Sequence, residues 1–127
     1  MNSIQSTQEL DVITKKIIGS AFAVSNELGT GFLEKVYENA LMVLFQREGI
    51  QAKQQAPIAV YFEGEVVGDY YADILVEDKI ILELKSVEEI INAHRSQVLN
   101  YLKATRLPLA IILNFGKNGL EHERLVQ

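Results

Sequence analysis

The sequence predicts a single domain of the mixed α/β class, an α+β fold with a mixed sheet, in the order α-α-β-β-β-α-β-β. Three observations predict it. Residues 8–48 carry apolar side chains at helical spacing, residues 58–85 are rich in β-formers, and a fully apolar run begins at Leu109. The 127 residues are 48% hydrophobic and 23% charged, which suits one core. We expect residues 1–7 to be flexible.

Two helices open the chain. The first is predicted over residues 8–28, with Ser6 and Glu9 forming a capping box and Gly29 ending the helix. The second is predicted over residues 33–48. Glu34 lies in its first turn, where the helix dipole favours a carboxylate.

The middle of the chain reads as an antiparallel meander. Strands are predicted over residues 58–62, 65–67, 70–76 and 80–85, with a break or bulge at 68–69. A helix over residues 92–105 should follow. The apolar run 109–113 then predicts a strand buried on both faces, and residues 121–126 a possible edge strand.

Composition excludes several classes of function. There is no cysteine, so disulfides, iron–sulfur clusters and thiolate zinc sites are ruled out. No Ser-His-Asp or Cys-His set and no zinc-type histidine spacing is apparent, which disfavours covalent hydrolysis. The net charge of −5 argues against tight non-specific nucleic-acid binding. No signal peptide or membrane segment is recognisable, so we expect a cytoplasmic protein without a membrane partner.

An acidic and a basic side chain share one face of the strand 80–85. Strands alternate faces, so Glu83 and Lys85 point to the same side. Asp73 in the preceding strand lies opposite Glu83 if three residues, 77–79, connect the strands, because opposite residues share a face. A two-residue turn would place Asp73 opposite Leu82 instead. A charged pair on a solvated strand face is the simple alternative.

This constellation suits metal-dependent chemistry. Two adjacent carboxylates repel each other, and a divalent cation removes that repulsion. Oxygen ligands favour Mg²⁺ or Mn²⁺, which can polarise a phosphate and activate a water. Lys85 would stabilise the charge that develops on the phosphate. Phosphodiester hydrolysis is therefore predicted, with Asp73, Glu83 and Lys85 as the catalytic residues.

Several motifs resemble known nucleases. Asp73 followed after nine residues by Glu83-Leu84-Lys85 is similar to the PD-(D/E)XK nuclease signature, although Ala72 replaces the proline. Gly31-x-x-Glu34-x-x-Tyr37 resembles the motif of the small bacterial GxxExxY proteins, and that similarity runs from about residue 13 to 126. Gln97 and Tyr101 resemble the Q-x-x-x-Y motif of the lambda-exonuclease-like branch of the superfamily.

The resemblance implies a restriction-endonuclease-like PD-(D/E)XK core acting on nucleic acid, most plausibly DNA, with Mg²⁺ or Mn²⁺ as cofactor. It implies that Glu34, Asp73, Glu83 and the Leu84 backbone carbonyl hold the metal, and that Lys85 is the catalytic lysine. The remaining residues expected to support substrate or site are Gln97, Tyr101, Tyr37 and His94.

Alternatives stay open for some of these residues and for the function. Glu34 alone is a common helix-start carboxylate, Tyr37 either donates its hydroxyl to Glu34 or packs in the core, and His94 suits a solvated helix start. The protein would otherwise be a nuclease-fold accessory or nucleic-acid-binding module with little or no activity, or a structural domain in which Asp73 and Glu83 lie apart. A homodimer is compatible with a nuclease that reaches both strands.

Overall fold

The computed structural model describes the backbone of residues 3–127 and the side chains of residues 7–127. Over these residues the element order is the predicted one, a mixed α/β arrangement of three helices and a five-stranded sheet. The elements are α1 Ser3–Leu28, α2 Glu34–Glu48, β1 Ala52–Phe62, β2 Glu65–Val76, β3 Ile80–Lys85, α3 Asn92–Thr105, β4 Leu109–Gly116 and β5 Gly119–Val126.

Helix α1 begins earlier than the sequence pattern predicted. It starts at Ser3, so Ser6 stands inside the helix and the predicted capping box with Glu9 at its start is wrong. No glycine or proline interrupts residues 3–8, and the helix therefore extends through them. Residues 3–7, for which we expected flexibility, are helical, residues 1–2 lie outside the described residues, and flexibility itself stays a prediction.

Helix α2 begins and ends within one residue of the prediction. Gly49 follows its last residue with φ 74°, a left-handed conformation that glycine adopts without steric cost. The N–H of Ile50 donates to the carbonyl of Phe45 at 2.9 Å, which satisfies one of the free carbonyls at the helix end. The chain then turns directly into β1.

The sheet has the order β1-β2-β3-β4-β5. The first three strands form the predicted antiparallel meander, β3 and β4 are parallel, and β5 runs antiparallel to β4 at the edge. Helix α3 provides the crossover that a parallel pair needs. All residues of β4 are buried, as predicted for the apolar run, because both of its faces are covered.

Two strands are longer than predicted. β1 begins at Ala52, ahead of Pro57, which the sheet tolerates because β1 is an edge strand. β2 is continuous from Glu65 to Val76, and the break or bulge predicted at 68–69 is a bulge one residue earlier, at Val67. The register shifts there, since Val60 pairs with Gly68 whereas Tyr61 pairs with Val66.

Apolar side chains cover both faces of the sheet. One cluster joins α1 and α2 to the sheet through residues such as Ile17, Tyr37 and Leu41. A second cluster joins α3 to the other face through Val98 and Leu102. Within the described part of the chain, no helix is both long enough and apolar enough to cross a membrane.

Candidate active site

The connection between β2 and β3 has the length that the site hypothesis requires. Val76 pairs with Ile80, which leaves the three residues 77–79 between the strands. Glu77 and Asp78 both adopt positive φ, 53° and 55°, and the N–H of Lys79 donates to the Val76 carbonyl at 3.0 Å. The predicted register is thereby confirmed, and Asp73 and Glu83 come next to each other beyond the last backbone pair.

Hydrogen bonds to the carboxylates of Asp73 and Glu83 replace the backbone–backbone hydrogen bonds between β2 and β3 beyond the last paired residues. The ladder between β2 and β3 ends at Ile74 and Leu82. Beyond it, Asp73 Oδ2 accepts the Leu84 N–H at 2.8 Å, and Glu83 Oε1 accepts the Asp73 N–H at 3.2 Å. Each carboxylate therefore bonds to the opposite strand, which fixes the two groups side by side.

Strand β2 changes face at Asp73. Ala72 packs in the α3-side cluster, whereas Ile74, two residues on, packs in the α1–α2 cluster. A regular strand would place both on one face. Gln55 lies opposite Asp73 on β1 and has φ 53°, a strained conformation for a residue other than glycine. This local irregularity opens the sheet where the two carboxylates lie.

Burial makes the carboxyl pair expensive to ionise without a cation. Glu83 is 5% exposed, and burial, followed by repulsion from Asp73, raises its pKa to about 8. The pKa of Asp73 is also raised, first by burial and then by the charge of Glu38, although the Leu84 N–H opposes this. At neutral pH the pair therefore retains a proton. A metal ion that bound there would displace this proton.

Glu38 is the acidic side chain of α2 nearest to this pair, and the sequence pattern did not single it out. It is 4% exposed. Its Oε2 accepts hydrogen bonds from Lys35 Nζ at 2.8 Å and Gln54 Nε2 at 2.6 Å, while Oε1 accepts one from Gln55 Nε2 at 3.1 Å. A glutamate directly after Tyr37, on the apolar stripe of α2, was the available signal.

Glu34 lies one turn earlier and faces elsewhere. Its side chain is exposed and lines a surface depression with Thr30, Ser86 and Lys117. Among the described residues, no three acidic or histidine side chains form a group that could hold a metal ion, so Glu34 does not complete such a group with Asp73 and Glu83. The structure thus brings Asp73 and Glu83 together but leaves Glu34 apart, and a metal-binding role for Glu34 stays a prediction.

Lys85 stands beside the pair on the same face of β3. Its charge lowers the pKa of Glu83, against the larger effect of burial. Lys85 is half-buried and forms no ion pair with any residue that the structure describes. The side chain of Leu84 packs in the core and its N–H is bonded to Asp73, and the role of its carbonyl stays a prediction.

Helix α3 presents Tyr101 to the carboxylates. The pKa of Tyr101 is raised by burial and then by the charges of Glu83 and Asp73. Its ring centroid is 5.6 Å from that of Tyr70 on β2. Gln97, one turn earlier on α3, is exposed.

Tyr37 and His94 each make a hydrogen bond that supports the fold, and their predicted role in supporting the site stays a prediction. The Tyr37 hydroxyl donates to the Gly29 carbonyl at 2.8 Å, and its ring is fully buried and stacks on Phe115. The predicted hydrogen bond to Glu34 is therefore wrong, and the core-packing alternative holds. His94 Nδ1 accepts the N–H of Ile91 at 3.1 Å, which caps the start of α3 because that N–H has no helical partner.

A buried asparagine fixes the chain that follows Lys85. Asn114 pairs with Lys85 in the sheet and is 1% exposed. Its amide accepts the Val87 N–H at 3.0 Å and donates to the Val87 carbonyl at 3.0 Å. It also donates to Glu121 Oε1 at 3.1 Å, which accepts the Ile90 N–H at 3.0 Å. A polar residue ending an apolar strand was the sequence signal for this clamp.

A divalent cation fits the carboxyl pair. Mg²⁺ is usually bound by one or two carboxylates while it keeps several waters, and Asp73 and Glu83 supply two held side by side. Among the residues that the structure describes, no three acidic or histidine side chains converge as a larger metal cage would require. The donor set therefore suits a hydrated, hard cation better than a soft metal that needs a full protein shell.

Comparisons with known proteins bear on the fold and on the family. No curated protein matches the chain. One solved structure, described as the crystal structure of SSO0001, is similar with a TM-score of 0.58 and 16% sequence identity, over 74% of this chain and 50% of that chain. This likeness concerns the fold alone, and this chain spans half the length of that one.

A family model describes nearly the whole chain. The model of the PD-(D/E)XK nuclease superfamily matches residues 11–125, a range that includes every described element from within α1 to within β5. The match spans the paired carboxylates and the lysine after them. The protein is a member of the PD-(D/E)XK nuclease superfamily.

Proposed function

We propose that this protein is a Mg²⁺-dependent nuclease that hydrolyses phosphodiester bonds of DNA, as its resemblance to the GxxExxY proteins and the lambda-exonuclease-like branch implies. The observation that carries the proposal is the buried Asp73–Glu83 pair with Lys85 beside it. Each carboxylate is anchored to the opposite strand by a backbone N–H, so the pair is organised before any ligand arrives.

The residues divide the chemistry between them. Asp73 and Glu83 would hold the cation, which would supply polarisation of a phosphate oxygen and a lower pKa for a bound water. Lys85 places its positive charge next to Glu83, where it would stabilise the negative charge that develops on the phosphate. Burial of the pair excludes much of the water that would otherwise weaken these interactions.

Supporting residues fix the approach of the phosphate. Tyr101 on α3 feels the charges of Asp73 and Glu83, which raise its pKa, and its hydroxyl would donate a hydrogen bond to a phosphate oxygen. Asn114 holds the chain just after Lys85 and so restricts where the lysine can reach. A homodimer would bring two such sites together, and a cytoplasmic location fits a DNA substrate.

Cleavage of labelled DNA with Mg²⁺, with Mn²⁺ and with EDTA tests the proposal. Single-stranded, duplex and supercoiled substrates should be compared, and wild type should cut at least one of them only when metal is present. Lys85→Met and Asp73→Asn should reduce the rate by about 100-fold or more, since each removes a charge used in the transition state. Lys53→Met, which changes an exposed lysine paired with Asp78, is the matched control. Cleavage by Lys85→Met at the wild-type rate would refute the assignment.

The acidic composition favours one other candidate function. A net charge of −5 argues against tight non-specific binding of nucleic acid, which suits a nuclease-fold accessory module, or a nucleic-acid-binding module without such tight binding, that has little activity. For that module, calorimetry would detect metal binding that Asp73→Asn abolishes, while no substrate is cut with either metal.

A further inference from the structure

Strands β1 and β2 continue past the rest of the sheet as a two-stranded arm. β3 pairs with β2 only at residues 74–76, whereas the pairing of β1 with β2 runs on to Phe62 and Glu65. We define the β1–β2 arm as residues 57–71. Its exposed large apolar side chains are Tyr61, Phe62, Val66, Val67, Tyr70 and Tyr71. A hairpin this apolar and this exposed is expected to meet a ligand or partner.

Tyr70 connects this arm to the candidate active site. It lies three residues before Asp73, about 10 Å along an extended strand, and its ring contacts that of Tyr101 at 5.6 Å. Its cross-strand neighbour Ile58 is buried in the α3-side cluster, so Tyr70 is on the α3 face of the arm. The Tyr70 ring is nevertheless 47% exposed.

Gly68 leaves the space in which the Tyr70 ring lies. A Cβ added at Gly68 would come within 3.2 Å of a ring carbon of Tyr70. The ring is therefore supported by the arm on one side and by Tyr101 on another. A supported aromatic ring with an open surface is a suitable platform for a flat ligand, because little side-chain freedom is lost on binding.

The negative charge of the β1–β2 arm restricts which form of nucleic acid can bind there. Residues 54–78 contain no lysine, arginine or histidine, and the arm itself carries Glu63, Glu65 and Asp69. Phosphates would be repelled there, and a duplex carries its phosphates on the outside. A single strand can turn its phosphates away and present its bases, which stack on aromatic rings without needing positive charge.

We infer that Tyr70 stacks an unpaired base of the substrate two or three nucleotides from the phosphate that lies at the Asp73–Glu83 site, so that the preferred substrate is single-stranded. This inference rests on the proposed nuclease function. Stacked nucleotides are spaced by about 3.4 Å. The separation of Tyr70 from Asp73 along β2 thus corresponds to two or three nucleotides. Tyr70 therefore positions the substrate and determines the preference for a single strand.

Two neighbouring tyrosines provide the matched test. Tyr71 follows Tyr70, pairs with Pro57 and points to the opposite face of the arm, where it is 56% exposed. Binding is measured by fluorescence anisotropy of a labelled single-stranded oligonucleotide and of its duplex, with Mg²⁺ and in a Lys85→Met background that prevents cleavage. Tyr70→Leu should weaken single-strand binding by about 5- to 100-fold, and Tyr71→Leu should leave it within about twofold.

Further variants separate stacking from folding. Tyr70→Phe and Tyr70→Trp retain a ring and should keep affinity close to that of the parent, even if Tyr70→Leu lowers the melting temperature. The inference is overturned if the parent prefers duplex, if Tyr70 and Tyr71 variants weaken binding equally, or if Tyr70→Leu changes nothing. It is also overturned if Tyr70→Leu shifts the sedimentation coefficient while DNA binding is unaffected, since the α3 face of the arm would then be a protein interface.

Failure of the inference can be told apart from failure of the proposed function. If wild type cuts DNA but the Tyr70 variants bind and cut like the parent, only the stacking inference fails. If wild type neither binds nor cuts any nucleic acid, the proposed function and the inference fail together.

Discussion

Replacing Glu83 by glutamine is expected to remove most of the pH dependence from the stability of the metal-free protein. Glu83 is 5% exposed, and burial, followed by repulsion from Asp73, raises its pKa from 4.5 to about 8. Glutamine keeps the size of the side chain and can still accept the Asp73 N–H, which lies 3.2 Å from Oε1. It carries no charge at any pH, so nothing ionises in the buried position.

The direction of this pH effect on stability depends on which state, folded or unfolded, binds more protons. Unfolded, Glu83 releases its proton near pH 4.5, whereas in the folded protein it keeps the proton up to about pH 8. Between these values the folded state binds more protons, so the free energy of unfolding falls as pH rises. The contribution is fully present below about pH 4.5 and is lost as pH rises through about 8. At about 1.4 kcal/mol per pKa unit it amounts to at most roughly 5 kcal/mol.

Urea unfolding in EDTA, followed by circular dichroism at about pH 5 and about pH 8.5, measures this effect. Wild type should lose several kcal/mol between the two conditions, and Glu83→Gln should lose at least about 2 kcal/mol less. Glu34→Gln, which changes an exposed glutamate, should behave as wild type. Equal losses in wild type and Glu83→Gln would show that the carboxyl is not held protonated, and the argument for a cation-ready pair would fail.

Three other substitutions probe the support of the site. Gly116→Ala should destabilise the protein by about 1–3 kcal/mol in urea unfolding, because a Cβ would lie 2.2 Å from the Val87 carbonyl oxygen. Asn114→Leu leaves the Val87 N–H and carbonyl without their partner and should slow cleavage more than it weakens Mg²⁺ binding. Glu38→Gln removes a charge that adds to the effect of burial on the pKa of Asp73, so Mn²⁺ binding in calorimetry should extend to lower pH.

Two control substitutions and two contrary outcomes test these expectations. Gly19→Ala, where an added Cβ meets nothing within 4 Å, should not destabilise. Asn118→Leu changes an exposed asparagine in the following turn and should leave cleavage unchanged. Metal binding and cleavage that fall in parallel in Asn114→Leu would contradict a role specific to the segment after Lys85. A pH profile for Glu38→Gln identical to that of wild type would show that Glu38 does not act on Asp73.

The carboxyl pair was predictable because it depends on local geometry. Two strands, their period of two and a three-residue connection are enough to place Asp73 beside Glu83, and the observed pairing of Val76 with Ile80 confirms that register. The central position of β4 was predictable for a similar reason, since an uninterrupted apolar run needs cover on both faces.

The remaining parts of the site depend on contacts between distant segments. Glu38 and Glu34 are one helical turn apart, and which of them approaches Asp73 is decided by how α2 docks on β1. Gln55 adopts a left-handed conformation that helps to open the sheet. Because the residue is not a glycine, the sequence does not predict this conformation. The clamp by Asn114 depends on the path of residues 86–91, which no periodicity describes.

The central claim is that Asp73 and Glu83 share one divalent cation. A crystal grown with Mn²⁺ and measured at a wavelength with strong manganese anomalous scattering tests it most directly. We predict one anomalous peak within about 2.0–2.3 Å of a carboxylate oxygen of each residue, and its loss in Asp73→Asn. A Mn²⁺ ion bound only at other carboxylates, with the pair unoccupied at saturating metal, would contradict the claim.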